Sequence, residues 1–309
     1  MTGLPSPRRM VELEVDGQAV EVFEGQTILD ACTKLGIDTP TLCYGPTLAP
    51  ANVCRVCVVE VEGARVLAPS CSRKAEAGMK VRTDSERVRL SRKVVLELLD
   101  SSVDLSTTPV APSYLERYGA DSDRFGPAAP ADPSRGRARP GAHEAPDGLA
   151  AATVAQDVKV DNDLYVRDYS KCILCYRCVD ACGEQYQNTF AIHVAGRGFD
   201  ARISTEFDTT LPDSACVYCG NCIAVCPTGA LMFTSEHELR AAGDWREEEQ
   251  TVTQTVCPYC GVGCNLELHV QDNAIVKVTS PDDHDITRGN LCVKGRFGFQ
   301  HVQARDDRR

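Results

Sequence analysis

The protein is a chain of 309 residues with 33 basic and 44 acidic side chains, and its formal net charge is -11 at pH 7. This charge argues against a nucleic-acid partner, because affinity for a polyanion depends on neutralising its phosphates. No segment approaches the ~18 consecutive apolar residues of a membrane-spanning helix, so no membrane insertion is expected. The chain also contains 17 cysteines, an odd number that a closed set of disulfides cannot use up.

The N-terminus carries Arg8 and Arg9, the pair that opens one class of bacterial export signal. Such a signal requires an apolar stretch next, whereas the segment 11–16 alternates apolar and acidic residues. We therefore expect a cytoplasmic protein. In a reducing compartment, repeated C-x-x-C pairs are typical of metal sites rather than of disulfides.

The first hundred residues predict a small α+β unit. Segments 11–15 and 19–23 alternate apolar and polar residues around Asp16-Gly17, which predicts a hairpin. Thr27 can then cap a helix that stops at Gly36.

A second hairpin is predicted from segments 58–61 and 65–67, which are rich in β-branched residues. Asp84 or Ser85 can cap a further helix that continues through Leu99. Within this unit lie four cysteines with gaps of ten, two and thirteen residues, called here the N-terminal set: Cys43, Cys54, Cys57 and Cys71.

Four thiolates suit iron–sulfur clusters, and they also suit tetrahedral zinc. The order of hairpin, helix, cysteine loop and hairpin resembles the β-grasp fold of 2Fe-2S ferredoxins, although the gaps differ from the plant ferredoxin spacing. It is similar to the ferredoxin-like domain that opens the large iron–sulfur subunit of respiratory complex I. The resemblance implies a 2Fe-2S cluster, with zinc as the alternative.

The next segment is expected to be a linker. From about Gly119 to Val160 it is rich in alanine, proline and glycine, and it cannot bury enough apolar surface to offset the entropy lost on ordering.

Two short runs, at 172–182 and 216–226, repeat the spacing C-x2-C-x2-C-x3-C. In two-cluster ferredoxins the fourth cysteine of each run binds the cluster of the other run. The first crossed set is therefore Cys172, Cys175, Cys178 and Cys226. The second crossed set is Cys182, Cys216, Cys219 and Cys222. Each predicts a 4Fe-4S cluster, and the alternatives are core cysteines or two zinc sites.

The C-terminal set is Cys257, Cys260, Cys264 and Cys292, beside a hairpin predicted to turn at Asp272-Asn273. Its spacing alone predicts a metal site. The residues 257–264 and 290–296 resemble the 4Fe-4S domain that begins the catalytic part of molybdenum or tungsten bis-pterin oxidoreductases, formate dehydrogenases in particular. This resemblance implies that Lys294 lies between cluster and pterin and assists electron passage, whereas charge pattern alone allows a solvated surface lysine.

The order of these motifs resembles the α subunit of cytoplasmic, NAD-linked formate dehydrogenases. The fold class expected from it is α+β and multi-domain. Its parts are a β-grasp 2Fe-2S domain over 9–100, a linker over 101–160, a two-cluster ferredoxin domain over 161–236, an acidic connector over 237–251, and a small β-rich 4Fe-4S domain over 252–309.

Two features depart from that family. Many members bind an additional cluster with a histidine and three cysteines just after the first domain, and the residues 101–108 offer no such ligand. Members also continue for several hundred residues beyond the motif around Cys292, with a domain that binds the pterins. We therefore expect no complete catalytic site in this chain, so whether it acts as an enzyme is left open.

The predicted function is an iron–sulfur relay with one 2Fe-2S and three 4Fe-4S clusters. Its expected partners are a molybdenum or tungsten bis-pterin catalytic chain and a flavin- or NAD-reducing iron–sulfur subunit or other electron acceptor. One alternative is an electron-transfer subunit of a hydrogenase or of a complex I-like machine. The bis-pterin-type sequence around Cys257 and Lys294 disfavours the hydrogenase. The other alternative is a non-catalytic scaffold with structural clusters.

Two further signals are set aside. The segment 190–201 matches a strand followed by a dinucleotide fingerprint, but a strand rather than a helix is predicted next. Cys32 has no partner at ligand spacing and is predicted to be a core residue.

Overall fold

The computed structural model describes residues 9–121, 124–125, 143–144, 150–151, 158–198 and 201–303. The chain divides into two compact units. The first consists of Met1–Tyr44, Pro50–Ser101 and Val110–Pro127. The second consists of Gly45–Ala49, Ser102–Pro109 and Ala128–Arg309. None of the described helices has the length and apolar character required to span a lipid bilayer.

The first unit is a five-stranded sheet covered by helices. Its elements are β1 (Met10–Val15), β2 (Gln18–Phe23), α1 (Ile28–Lys34), β3 (Val58–Val61), β4 (Ala68–Pro69), β5 (Lys80–Arg82), α2 (Glu86–Ser102) and α3 (Ala111–Tyr118). The strand order is β2-β1-β5-β3-β4, with β1 and β5 parallel and the other pairs antiparallel. Alternate residues of β1 point into the core, where Val15 and Ile28 are fully buried.

Local sequence determines several of these elements, as predicted. Asp16 and Gly17 take positive φ angles of 49° and 81°, which a two-residue hairpin turn requires. Thr27 caps α1 in a capping box with Asp30. The hydroxyl of Ser85 accepts a hydrogen bond from the backbone of α2, at 3.4 Å.

The second hairpin forms, but its second strand was predicted three residues too early. The observed strand is β4, and Val66 in the predicted segment is 66% exposed. The carbonyl of Leu67 accepts a hydrogen bond from the guanidinium of Arg55 instead of from a neighbouring strand. Helix α3 lies in the segment expected to be a linker, and most of residues 126–157 lie outside the described part.

The second unit begins with short elements around the two cysteine runs. They are β6 (His143–Glu144), β7 (Ala150–Ala151), β8 (Tyr165–Arg167), α4 (Arg177–Cys182), β9 (His193–Ala195), β10 (Arg202–Ser204), α5 (Asn221–Ala224), β11 (Leu231–Phe233) and α6 (Thr234–Ala242). Antiparallel pairs form between β8 and β11, between β9 and β10, and between β6 and β7. Strand β10 (Arg202–Ser204) directly follows Ala201, the last residue of the dinucleotide fingerprint, whereas that fingerprint requires a helix at this point.

The unit ends with a three-stranded sheet and a helix: β12 (Thr251–Val256), β13 (Asn265–Gln271), β14 (Ala274–Thr279) and α7 (Val293–Gln303). The hairpin predicted at Asp272-Asn273 is confirmed, and both residues have positive φ. Helix α7 joins two cores, because Phe297 packs into the core around the cysteine runs while Phe299 packs under the three-stranded sheet. This helix therefore connects the two cysteine runs and the C-terminal sheet within the second unit.

Candidate metal centres

The N-terminal set lies in the loops before β3 and after β4, and its thiols form two close pairs. The backbone N–H of Cys43 donates to Sγ of Cys54 at 3.4 Å, and the thiols of these two residues are hydrogen-bonded. The thiols of Cys57 and Cys71 are hydrogen-bonded in the same way. Paired thiolates fit a binuclear cluster, in which each iron takes two protein ligands.

Hydrogen bonds between the thiols favour metal binding by this set, whereas burial opposes the thiolate form. Cys57 and Cys71 are almost completely buried and pack against Leu29. The hydrogen bond from the thiol of Cys54 lowers the pKa of Cys43, and that from Cys71 lowers the pKa of Cys57, while burial opposes both decreases. One thiol of each pair is thereby shifted towards the thiolate, the form that binds metal.

The two cysteine runs of the second unit fold into the same loop. Leu174 and Tyr218, each two residues after the first cysteine of its run, have positive φ angles of 53° and 56°. Their backbone N–H groups donate to Sγ of Cys172 and Cys216, both at 3.4 Å. Helices α4 and α5 start next and carry the third cysteine of each run in their first turn.

The four cysteines of the first crossed set line one small cavity. Three of its cysteines come from the first run and the fourth, Cys226, from the end of the second, while Ile203 and Leu231 supply apolar walls. Burial, together with the nearby thiol of Cys226, raises the pKa of Cys175 to about 12. The structure therefore brings together the four thiols that the ferredoxin spacing predicted.

The cysteines of the second crossed set influence one another electrostatically. Burial raises the pKa of Cys222 well above its ordinary value, and the thiols of Cys219, Cys182, Cys216 and Cys226 add to the increase, in that order. Cys182, the last cysteine of the first run, is thus near Cys222 of the second run. The hydroxyl of Tyr165 lies 3.3 Å from Sγ of Cys216.

The C-terminal set converges where β12 ends and α7 begins. The N–H of Cys257 donates to the carbonyl of Cys264 at 2.7 Å and closes the loop between them. Burial raises the pKa of Cys264, and the thiols of Cys257, Cys260 and Cys292 raise it further. The first turn of α7 presents Lys294 as an exposed side chain.

Across the described ranges, no three or more His, Cys, Asp or Glu side chains are placed to hold a metal ion by themselves. Cys32 lies outside all four sets. It is fully buried among Ile28, Ala31 and Val59, so its prediction as a core residue is confirmed.

The segment at 102–109, which lacks ligands, packs on the second cysteine run. The hydroxyl of Thr107 donates to the carbonyl of Thr228 at 2.6 Å, and Asp104 pairs with Lys171. Gly229 permits this contact, because a Cβ there would lie 2.8 Å from the Thr107 hydroxyl. Local contacts thus occupy the stretch in which the sequence offers no cluster ligand.

Sequence reasoning missed two residues that contact the cysteine loops. Tyr165 is one, and its only sequence signal is its position seven residues before the first run. Arg296 is the other: it is fully buried and donates to the carbonyl of Cys219 at 3.2 Å. Its position two residues after Lys294 could have drawn attention to it.

Three family models match the chain in the predicted order. A 2Fe-2S iron–sulfur cluster binding domain matches residues 8–86, the ferredoxin-like domain of NADH-quinone oxidoreductase subunit 3 matches 163–232, and the molybdopterin oxidoreductase Fe4S4 domain matches 250–304. The chain is built from iron–sulfur domains. Both predicted cluster types, 2Fe-2S and 4Fe-4S, are thereby confirmed at the level of the domains.

Similar proteins are subunits of redox complexes. An NADH-quinone oxidoreductase subunit of Rhizobium meliloti is 33% identical, over 96% of this chain and 32% of its own length. NADPH-Fe(3+) oxidoreductase subunit alpha of Geobacter sulfurreducens is 34% identical, also over 96% of this chain and 32% of its own length. The chain thus spans about a third of the length of these relatives.

A solved structure shares the fold. A chain of the NAD+-reducing [NiFe]-hydrogenase, in the H2-reduced state, superimposes with a TM-score of 0.59 over 72% of this chain and 87% of that chain. The two are 24% identical, so this likeness concerns the fold alone. It is consistent with the mixed helix and strand architecture of ferredoxin-like domains.

The expected relation to formate dehydrogenase is confirmed in part. A putative formate dehydrogenase of Staphylococcus haemolyticus is 26% identical over 94% of this chain and 31% of its own length. Its identity is lower than that of the NADH- and NADPH-linked relatives. The prediction was therefore too narrow, because motifs in one order are shared by several classes of complex.

Proposed function

We propose that this chain transfers electrons between redox subunits of an NAD(P)-linked oxidoreductase complex, with every cysteine except Cys32 serving as a cluster ligand. The observation that carries the proposal is the cavity of the first crossed set, where Cys226 joins three thiols of a run more than forty residues earlier. A binding site shared between two separated runs is what two-cluster ferredoxins require.

The ligands fit the clusters that we propose. The N-terminal set, with its paired thiols in a β-grasp-like unit, suits one 2Fe-2S cluster, and the three other sets suit 4Fe-4S clusters. When bound, such clusters supply one-electron redox chemistry. The protein holds them at fixed positions, and it influences their potentials through burial and hydrogen bonds such as that from Leu174 to Cys172.

We propose one partner for each of the two terminal cysteine sets. The match of residues 250–304 to a molybdopterin oxidoreductase domain supports a molybdenum- or tungsten-pterin catalytic part beside the C-terminal set, with Lys294 on the path between them. The NADH- and NADPH-linked relatives support a flavin- or NAD-reducing partner near the N-terminal set.

A second candidate function is electron transfer in a hydrogenase. The NADP-reducing hydrogenase subunit HndD of Solidesulfovibrio fructosivorans is 39% identical, over 74% of this chain and 36% of its own length. The two candidates differ in the redox partner that reduces this chain. The oxidised protein is incubated either with a purified pterin-containing catalytic subunit and formate, or with a purified hydrogenase subunit and hydrogen. The partner that bleaches the absorption of the clusters identifies which of the two candidate functions is correct.

The ligand assignment is tested by replacing Cys219 with serine in the full chain. The wild-type protein, purified without oxygen, is expected to bind about 14 iron atoms. Cys219→Ser should lose or alter one 4Fe-4S signal in electron paramagnetic resonance (EPR) spectra. Cys32→Ala is the matched control, since this buried cysteine lies outside the four sets, and its iron content should equal that of wild type.

The crossed arrangement has its own test. Cys226→Ser and Cys172→Ser should change the same EPR signal, while Cys182→Ser changes the other one. If Cys226→Ser and Cys219→Ser altered one signal together, each run would hold its own cluster and the crossed assignment would be wrong. If the clusters were present but neither dithionite nor a partner reduced them, the scaffold alternative would replace the relay.

A further inference from the structure

Arg296 carries a buried positive charge between two of the proposed cluster sites. It lies in the first turn of α7, four residues after Cys292 of the C-terminal set. Its side chain extends into the loop of the second crossed set, where Nε donates to the carbonyl of Cys219 at 3.2 Å. The arginine therefore contacts the protein around both sets.

All the hydrogen-bond acceptors of this guanidinium are neutral. Nη2 donates to Oδ1 of Asn221 at 3.1 Å and to the carbonyl of Gly289 at 3.3 Å, and Nη1 donates to the carbonyl of Val278 at 3.4 Å. Among the described residues, no carboxylate lies within the 4.0 Å of a salt bridge to Arg296. The side chain is completely buried, a position where an arginine normally requires a paired negative charge.

The thiolates of the cluster sites are the negative charges that face Arg296. Its Nε donates to the carbonyl of Cys219 in the second crossed set. An arginine guanidinium keeps its proton in proteins, so this positive charge is permanent.

Asn221 connects the arginine to both loops. Its Oδ1 accepts from Arg296 and from the backbone N–H of Leu291, the residue before Cys292. Gly220 allows the approach, since it has φ +71° and a Cβ there would lie 2.6 Å from Cδ of Arg296. The Gly-Asn pair between Cys219 and Cys222 is thus shaped around the guanidinium.

We propose that Arg296 is a positioning residue that raises the reduction potential of the cluster in the second crossed set. Reduction adds one negative charge to the site, and a fixed positive charge in a low-dielectric interior stabilises the reduced state more than the oxidised one. The effect on the first crossed set is smaller, because in the described part of the chain the hydrogen bonds of the guanidinium reach Cys219 and no cysteine of the first set. This inference rests on the cluster assignment proposed above.

The test measures reduction potentials in the full chain by EPR-monitored redox titration. Arg296→Gln removes the charge, and Asn221→Asp neutralises it with an isosteric side chain that keeps the acceptor oxygen. In both variants the ratio of reduced to oxidised cluster at fixed potential should fall at least tenfold, which is 59 mV for one electron. Arg296→Lys, which keeps the charge, should stay within threefold of wild type.

Arg288→Gln is the matched control, because Arg288 is an exposed arginine in the loop before α7. It removes the same charge from the protein and should leave the potential unchanged. Unaltered potentials in an iron-replete Arg296→Gln or Asn221→Asp protein would overturn the proposal. Loss of iron from both variants would also overturn it, in favour of a purely structural arginine. A wild-type protein that lacked this cluster would instead contradict the proposed function.

Discussion

Gly220 lies directly against the side chain of Arg296, with its φ at +71° and space for no Cβ. An alanine there would be strained in its backbone by about 1–2 kcal/mol. It would also force the buried arginine to move, which costs a further 1–3 kcal/mol or so. We predict that Gly220→Ala lowers the midpoint of anaerobic thermal unfolding, measured by far-ultraviolet circular dichroism, and weakens iron retention in the second unit.

Gly243 provides the matched control for that variant. It has a similar φ of +77°, at the end of α6, but a Cβ there would meet no atom within 4 Å. Gly243→Ala should therefore show the backbone cost alone and keep its full iron content. Equal midpoints for the two variants would mean that the contact with Arg296 contributes nothing.

A second prediction concerns Asp161, the carboxylate that pairs with the buried Arg167. Burial opposes ionisation of Asp161, but the N–H of Leu211 and the Arg167 guanidinium outweigh it and hold its pKa below the usual value. Asp161→Asn would leave the guanidinium buried and uncompensated. We expect a loss of about 3–5 kcal/mol in the free energy of unfolding of the second unit.

The measurement is anaerobic urea unfolding at neutral pH, where the Asp161 contribution is complete. A depressed carboxyl pKa stabilises the fold at every pH above the ordinary pKa, and the contribution is lost only as the pH falls through the depressed value. Asp163→Asn is the control, since this exposed neighbour should change stability by less than about 0.5 kcal/mol. A similar loss in both variants would show that the Arg167 pair is not responsible.

Much of the fold could be predicted because local chemistry determines it. The turn at Asp16-Gly17 and the cap at Thr27 each depend on only two to four consecutive residues, and both form as expected. The crossed cysteine sets are a prediction from a repeated spacing, which constrains where the fourth ligand must be. The four thiols of the first crossed set line one cavity, as that prediction requires.

Other features depend on distant contacts, which local patterns do not reveal. All six residues of strand β12 are exposed, so it has no buried face, and it is held in place by its pairing with β13. Arg296 looks like an ordinary helix residue until its contact with Cys219, 77 positions away, is known. No local or periodic sequence pattern indicates that this charged side chain is buried.

Tyr165 carries a third prediction, through its hydroxyl at 3.3 Å from Sγ of Cys216. A hydrogen bond to a cluster sulfur raises the reduction potential, because it stabilises the more negative, reduced state. Tyr165→Phe removes the bond but keeps the ring that stacks on Phe297. We expect the potential of the second crossed set to fall by less than about 59 mV, a smaller effect than the loss of a full charge.

EPR-monitored titration of Tyr165→Phe measures this shift. Tyr218→Phe is the control, since Tyr218 packs edge-on against Tyr165 and, in the described structure, its hydroxyl makes no bond to Cys216. Its potential should match that of wild type. An upward shift in Tyr165→Phe would show that the hydroxyl does not donate to the ligand sulfur.

The last prediction is a dependence of stability on pH that originates at His269 in β13. Burial lowers the pKa of His269 to about 4, and the charge of Lys277 adds to the decrease, while Glu267 and Glu247 oppose it. Nε2 of His269 lies 2.8 Å from the hydroxyl of Thr279, which itself donates to Glu267. The imidazole is therefore held neutral, with its Nε2–H donating to Thr279.

The sign of the effect follows from the lowered pKa. Above the ordinary histidine pKa of about 6.5, neither state binds the proton and the fold keeps its full stability. As the pH falls from about 6.5 to 4, His269 binds a proton in the unfolded chain but stays neutral in the folded chain, so the fold loses stability. Since His269 is only partly buried, we expect a loss of about 1–2 kcal/mol.

His269→Gln keeps a donor for Thr279 but cannot titrate, so its stability should decline less than that of wild type between pH 6.5 and 4. Acid also affects the thiolates, and comparison of the variant with wild type cancels that common part. His301→Gln is the control, because this exposed histidine at the end of α7 should leave the wild-type pH profile intact. Parallel profiles for wild type and His269→Gln would show that His269 contributes nothing to the pH dependence.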